Sequence, residues 1–506
     1  MLPRYCILLV CSFFCLISFL NAYSKDFYIA AVYEHHTILN QNSTALTDRK
    51  SALEFMSQNL GIYEKQVTAA ARKHAQIIVF PEDGIHGFNY TRSSIYPFLD
   101  FLPASNLRPW NPCLEPHRFN DTEVLQRLSC MAAKGRMYVV ANLGTKVPCQ
   151  RLNSPCPPDG RYQFNTNVVF SNNGTLVASY FKKNLYFELA FDTPPENQCV
   201  VFDTPFASRF GLFTCFDILF YEPAIRLIEK HMVKHVLYPT AWMNQLPLLS
   251  AIQIQRAFAT ATGINLLAAN VHHTQIGMTG SGIYSPTKSS FYYDMTSENG
   301  KLLVENVPVD PSWETPVSDH EEIYTTQKIR YGDSCEMPIN LVSMKLPFQH
   351  QTPPYLFQAQ MMYDNFTFIP LLTNEGTIQV CAASLCCYLS YTKTLLANEL
   401  YAFGVFDGLH TVHGTYYLQI CALVKCGGLE PETCGHEVTE AGTVIHYQLW
   451  GNFTTNHIFP ILLTSDVMLD LPSFWGWKNN LCYMNNTRMS SGLVTAALYG
   501  RWYERD

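Results

Sequence analysis

The sequence predicts an α/β layered domain followed by a smaller, mainly β domain. Three observations carry that expectation. At 506 residues the chain exceeds what one hydrophobic core organises and suits two or three domains. Over the first 300 residues, apolar positions alternate between helical spacing and short continuous runs of strand length. Beyond residue 352 the helical spacing is gone, and short strand-like runs are interleaved with cysteines.

Taken in order, Phe27 to Tyr33 reads as a strand. Ala52, Met56, Leu60, Tyr63, Val67, Ala70 and His74 recur at threes and fours, the spacing of a buried helical face. Ile77-Ile78-Val79-Phe80 is an apolar run stopped by Pro81, as in a strand buried on both sides. Met137 to Ala141 is a further strand. Asn167 to Ser171 and Thr175 to Tyr180 flank Asn172-Asn173-Gly174, a turn sequence that closes a hairpin. Strands follow at Phe210 to Thr214, His235 to Tyr238 and Ile264 to Ala269, with helical segments after Pro223 and Pro247. These elements make residues 25–307 one α/β domain. Residues 308–351, rich in Pro and charge, read as a linker or domain junction. Residues 352–506 form the β-rich domain, with strands at Thr377 to Val380, Tyr416 to Val424 and Thr443 to Trp450.

Apolar residues make up 48% of the chain, which supports two cores. Charged residues are only 15%, against roughly 25% in an average soluble protein, and the formal net charge is −7. That balance argues against nucleic acid as a partner.

The ends speak to compartment. Arg4 precedes an unbroken run of apolar and small residues from Cys6 to Leu20, then Asn21-Ala22-Tyr23-Ser24. The run is shorter than the roughly 20 residues of a spanning helix, and small residues near Ala22 and Ser24 suit cleavage. Residues 1–22 therefore read as a secretory signal peptide, with an N-terminal anchor as the competing reading. The sequence closes on Gly500-Arg501-Trp502-Tyr503-Glu504-Arg505-Asp506, without the apolar tail of a lipid-anchored precursor. The expectation is a secreted, extracellular protein with no stable membrane anchor. Sequons at Asn42, Asn89, Asn120, Asn173, Asn365, Asn452 and Asn485 fit that route.

Cleavage would leave fourteen cysteines, six before residue 300 and eight after it. In an oxidising compartment most should pair, and the later eight can close among themselves. If one of the first six is kept as a reactive thiol, a second stays unpaired. Cys130, within the apolar Leu128-Ser129-Cys130-Met131-Ala132, is the expected inert thiol. Zinc is the competing use, but Cys381 and the pair Cys386-Cys387 lack a matching second pair at zinc spacing.

Three side chains able to do chemistry stand directly after strands, where open α/β sheets place their sites. Glu82 follows Ile77 to Phe80, Lys182 follows the second hairpin strand, and Cys215 follows Phe210 to Thr214. A thiol at a strand-to-turn position presents its sulfur near backbone N–H groups. A carboxylate can take the thiol proton, and an ammonium can steady charge on the attacked oxygen. Together the three suit amide hydrolysis. Singly, a strand-end Cys is more often a core or disulfide residue, and a strand-end Glu or Lys is usually solvated. A serine hydrolase is a weaker reading, because Gly280-Ser281-Gly282 is not a nucleophile elbow. His272-His273 lack carboxylates at ligand spacing, so metal is expected nowhere.

Phe80-Pro81-Glu82, Tyr180-Phe181-Lys182 and Thr214-Cys215-Phe216-Asp217, in that order, resemble the three signatures of the nitrilase superfamily. More narrowly, Thr214 to Phe220, Tyr238 to Leu249, Ala268 to His273, Gly277 to Pro286, Glu399 to Tyr417 and Ser490 to Asp506 are similar to the vanin and biotinidase branch. The likeness runs from about residue 27 to the C-terminus and is densest after residue 180.

The resemblance implies a nitrilase-like α-β-β-α sandwich followed by a β-rich base domain. It implies Cys215 as nucleophile, Glu82 as general base and then acid, Lys182 and the Phe216 N–H as oxyanion partners, and Glu188 as a supporting carboxylate. Trp242, Asn244, His272 and His273 are candidate pocket residues. The implied reaction frees biotin from biocytin (biotinyl-lysine) and biotinyl peptides through a thioester, without metal or cofactor. Biotinyl transfer would follow if another amine intercepts the thioester. The alternatives are pantetheine hydrolysis, as in vanins, and a catalytically silent secreted protein that binds biotin or serves adhesion.

Overall fold

The computed structural model describes residues 26–104, 107, 109–149, 156–314, 355–395 and 397–506. The signal-peptide reading and nearly all of the 308–351 junction lie outside these residues.

Alternation of side chains along each strand explains the layering. In the strand Phe27–Glu34, Ala31 and Tyr33 point to one side while Tyr28, Ala30 and Val32 point to the other. Ile77–Val79 and Tyr138–Pro148 split in the same way. One face takes up the helices Arg49–Arg72 and Glu123–Gly135 through Met56, Leu60, Tyr63, Val67, Leu125 and Leu128. The other face packs on a second sheet, built around the parallel strands Phe210–Leu212, His235–Thr240 and Asn265–Asn270. On its far side that sheet carries the helix Ala251–Thr262. Helix, sheet, sheet and helix form the α-β-β-α sandwich expected from the resemblance.

The first sheet runs in the order 301–308, 27–34, 77–79, 138–148, 161–170, 176–181, with the short strand Asp100–Phe101 beside Tyr138–Pro148. Its centre is parallel, and the hairpin Arg161–Phe170 with Leu176–Phe181 returns the chain so that Phe181 ends on the same edge as Val79. The second sheet's parallel strands also end beside this edge. The predicted strands and the long helix are present; the strands at 138–148, 161–170 and 375–382 are several residues longer than the periodicity marks, and Ile77–Val79 and Phe210–Leu212 are shorter. The sequence reading lacks the helix Glu123–Gly135, whose buried face is Val124, Leu125, Leu128, Ser129, Met131 and Ala132.

Past residue 355 the chain forms sheets of seven and five strands around a core of Leu389, Phe403, Leu423, Tyr447 and Leu498. This unit leans on the α-β-β-α sandwich. Strand His457–Thr464 lies against helix Ala251–Thr262, and Phe459 stacks on Phe258 with ring centroids 5.8 Å apart. Arg501, fully buried, donates from Nε to the Leu219 carbonyl at 2.8 Å. Its guanidinium is held between the rings of Tyr416 and Tyr503 and by Asp506.

Disulfides join Cys113 to Cys130, Cys149 to Cys156, Cys381 to Cys386, Cys387 to Cys421 and Cys426 to Cys434. The expectation for Cys130 is therefore wrong. A helix turns about 100° per residue, so Cys130 lies on the side of Glu123–Gly135 opposite the face formed by Leu128, Ser129, Met131 and Ala132, and meets Cys113 there. The spare thiol of the first half is the half-buried Cys199. In the second half Cys482 is a buried free thiol, and Cys335 lies outside the described residues.

Six of the seven sequons are exposed, and Asn173 sits at the tip of the hairpin. Asn485 differs: it is 6% exposed within the strand Leu481–Asn486.

Candidate active site

Glu82, Lys182 and Cys215 come together at the carboxyl ends of the two stacked sheets. Each lies one to three residues past its strand, so the backbone frame of the sandwich fixes all three. Glu82 is 1% exposed, and both of its carboxylate oxygens are occupied. Oε1 accepts from Lys182 Nζ at 2.7 Å and from Asn165 Nδ2 at 2.8 Å, and Oε2 accepts from the Ala241 N–H at 2.9 Å. Lys182 Nζ also donates to Glu188 Oε1 at 2.8 Å.

Cys215 opens the turn Cys215–Leu219 with φ at +45°, a left-handed conformation rare for a side-chain-bearing residue. The turn is clamped by Asp217. Its Oδ2 accepts from the Thr214 N–H at 3.0 Å and the Tyr180 hydroxyl at 2.7 Å, and its Oδ1 accepts from the Asn184 N–H at 2.9 Å. Tyr180 and Asn184 bracket Lys182, so one carboxyl ties the thiol's turn to the lysine's loop. The Tyr238 hydroxyl holds the Cys215 carbonyl at 2.8 Å. The first amides of such a turn have no acceptor within it, and the Phe216 N–H is among them.

Charge and burial set the proton positions. Burial alone would raise Glu82, but the Lys182 charge and the hydrogen bonds outweigh it and hold the carboxyl below its ordinary range. Burial likewise opposes the charge on Lys182, and Glu188 with Glu82 reverses that and pushes it well up. The Cys215 thiol is pushed well up by burial and by Glu82, against the pull of Lys182. At rest the sulfur keeps its proton beside an ionised carboxylate. Burial raises Glu188 to about 7, with Lys182 opposing and Glu82 adding to the rise. Buried Asp83, beside Glu82 and Glu188, is also raised well above the carboxylate range.

Among the described residues, Glu82, Asp83 and Glu188 bring carboxylate oxygens within 4.8 Å of one another, a spacing compatible with a cation. The Lys182 ammonium is bonded to two of the three and supplies that positive charge.

Three asparagines complete the site and escaped the sequence reading. Asn165 bridges Glu82 and Glu188, Asn142 Nδ2 donates to Asn165 and Asn167, and Asn167 Nδ2 reaches Thr214 Oγ1 at 2.9 Å. All three sit in the middle of strands, where Asn is depleted, and that mismatch was the available signal.

The cleft at Cys215 is lined by Tyr186, Phe216, Leu219, Ala241, Trp242 and Leu249, together with Met243 and Gln245. His410, Val412, His413 and Tyr416 of the β-rich domain complete the wall. Of the anticipated pocket residues, Trp242 is in this wall. Asn244 is spent on the Gly277 and Thr279 carbonyls and the Ala251 N–H. His272 is bonded to buried Glu34 and the Ser297 carbonyl, and His273 stacks on His36. These three brace the cleft's surroundings rather than line it.

Residues 51–307 match the carbon-nitrogen hydrolase family, and residues 355–506 match the vanin C-terminal domain. Human (Homo sapiens) biotinidase is 58% identical over 496 residues, which cover 96% of this chain and 90% of that protein. The chain belongs to the biotinidase and vanin branch of the carbon-nitrogen hydrolases. Bovine (Bos taurus) pantetheinase, also of this branch, is 43% identical over 98% of this chain and 92% of its own length. A crystal structure of an amidase from Nesterenkonia sp. covers 57% of this chain and 93% of that one, at 21% identity and a TM-score of 0.38. As a carbon-nitrogen hydrolase of this branch, the chain is an amidase.

Proposed function

We propose that this protein is a secreted amidase that frees biotin from biocytin and short biotinyl peptides, with Cys215 as nucleophile, Glu82 as base and acid, and Lys182 as oxyanion partner. What carries the reading is a protonated thiol that lines the cleft, backed by the ionised carboxylate of buried Glu82, in a chain 58% identical to human biotinidase. The disulfides suit an oxidising compartment, and no helix among the described residues is long and apolar enough to cross a membrane.

The cycle balances without an outside group. Glu82 takes the Cys215 proton as sulfur attacks the amide carbon, and the oxyanion is met by the Lys182 ammonium and the Phe216 N–H. The C–N bond breaks, and lysine leaves with the proton returned by Glu82. Water then gives a proton to Glu82 while attacking the thioester, the C–S bond breaks, and the proton passes back to sulfur. An amine in place of that water would give biotinyl transfer.

Pantetheine hydrolysis is the second reading, supported by the 43% identity to bovine pantetheinase. Side-by-side turnover of biocytin and pantetheine separates the two. Cys215→Ser should lose nearly all cleavage of a biotin anilide at normal secreted yield, and mass spectrometry of acid-quenched wild type should find a biotinyl adduct on Cys215. Full activity in the variant would falsify the nucleophile.

A further inference from the structure

The β-rich domain supplies one side of the cleft that holds Cys215, through the turn between strands Tyr401–His410 and Tyr416–Lys425. The turn is seated on the nucleophile's own neighbour. Gly414 has φ at +135°, and a Cβ there would stand 2.7 Å from Phe216 Cζ, so only glycine lets the turn come this close. The His413 ring lies against Phe187 and Tyr363, with centroids 5.2 Å and 5.1 Å away.

Within this wall His410 differs from its neighbours. It is 5% exposed, and its Nδ1 lies 2.7 Å from Asp364 Oδ2. With the carboxylate accepting the Nδ1 proton, a neutral ring keeps Nε2 as an acceptor. Among the described residues no protein atom bonds that Nε2, and the residue lines the cleft. Of the wall's other nitrogen-bearing side chains, Trp242 spends its Nε1 proton on the Leu249 carbonyl, and Gln245 and His413 are more open to solvent, with no carboxylate to orient them. Around His410 the wall is apolar: Phe216, Leu219, Trp242, Leu249 and the Tyr416 ring, 4.6 Å from the imidazole.

We propose that His410, oriented by Asp364, sets acyl-group specificity by accepting an N–H of the substrate's cyclic urea while the apolar wall takes the aliphatic chain. The assignment rests on the biotinyl-amide reading and deepens it. A urea N–H placed in this wall without an acceptor would give up its bond to water and gain nothing, so a site built around one fixed acceptor discriminates strongly. The β-rich domain thereby reads the acyl half of the substrate, while the sandwich breaks the bond.

The test compares wild type with His410→Leu, His410→Gln and Asp364→Asn on a chromogenic biotin anilide, with free biotin as competitive inhibitor. Alkylation of Cys215 by iodoacetamide, which is too small to reach His410, reports the integrity of the nucleophile's turn. His410→Leu should raise KM and the Ki for biotin together by tenfold or more, with kcat within threefold and the alkylation rate unchanged. His410→Gln, which can offer an acceptor near the Nε2 position, should recover most of the loss, and Asp364→Asn should fall between. Unchanged KM and Ki, or a fall in kcat together with slowed alkylation, overturns the assignment. If wild type leaves biotin amides intact, the parent reading fails and takes this one with it. If wild type cleaves them and His410→Leu does so equally well, only this one fails.

Discussion

The Ala241 N–H donates to Glu82 Oε2 at 2.9 Å across 159 residues of sequence. The amide comes from the second sheet and the carboxylate from the first, so the stacking of the sheets aims that carboxylate. With Oε1 held by Lys182 and Asn165, neither oxygen can swing away from the thiol.

Glu82→Gln keeps one acceptor oxygen, for Lys182 and Asn165 or for the Ala241 N–H but not for both, and cannot take a proton. Turnover of a biotin anilide should fall by roughly 10²–10⁴-fold, the usual worth of a positioned base. Stability should fall by about 1–3 kcal/mol, the cost of one buried donor left without its acceptor, and iodoacetamide alkylation of Cys215 should slow. Activity within threefold of wild type would exclude Glu82 as the base.

Asp217→Asn removes the charged acceptor that joins the Cys215 turn to the Lys182 loop. A loss of about 1–3 kcal/mol in urea unfolding is expected, in line with a broken buried hydrogen-bond network. Tyr180→Phe removes one of those bonds and should cost about 1 kcal/mol. A purely local role would leave kcat intact, whereas the tie predicts that Asp217→Asn lowers it.

Glu188 gives a pH signature. Its folded pKa, raised to about 7, exceeds that of the unfolded chain, so the folded state binds the proton more tightly. Wild type should therefore give up stability as pH rises from about 4.5 toward 7. Glu188→Gln lacks this proton, so its melting temperature relative to wild type should improve between pH 5 and pH 8. A constant difference across that range would contradict the raised pKa.

Gly414→Ala places a methyl against Phe216 at a positive φ. The expected outcome is a destabilisation of about 1–2 kcal/mol, with a higher KM for biotin amides as the turn lifts off the cleft. Steady-state kinetics and thermal melts check both.

The Cys113–Cys130 disulfide spans 17 residues. A loop of that length corresponds to about 3 kcal/mol of chain entropy. The double Ser variant should lose stability on that order and keep its kcat, since the bond lies away from the cleft.

The sandwich was legible because its strands are continuous apolar runs and its first helix keeps strict spacing. Glu82, Lys182 and Cys215 were legible as strand-end residues, and the three signatures joined them into a set. What remained hidden depends on tertiary geometry. Asn165 matters because a hairpin register places it between two carboxylates, and His410 because a turn from the other domain folds onto Phe216. Cys130 was misjudged from the neighbours beside it in sequence, since on a helix the neighbours that count are three and four residues away. Asn485 matched a sequon, but the strand that carries it is buried.

Arg501 reaches back 282 residues to grip the Leu219 carbonyl at the end of the Cys215 turn. During synthesis at about 5–20 residues per second, that grip is missing for roughly 14–56 s after Leu219 is made. Ribosome-bound chains stalled ahead of Arg501 should therefore carry a Cys215 turn fixed at its start by Asp217 and Tyr238 but not at its end. The far end of that turn would settle only when the last strand of the other domain is in place, so the first domain's final fit waits on the chain's last residues.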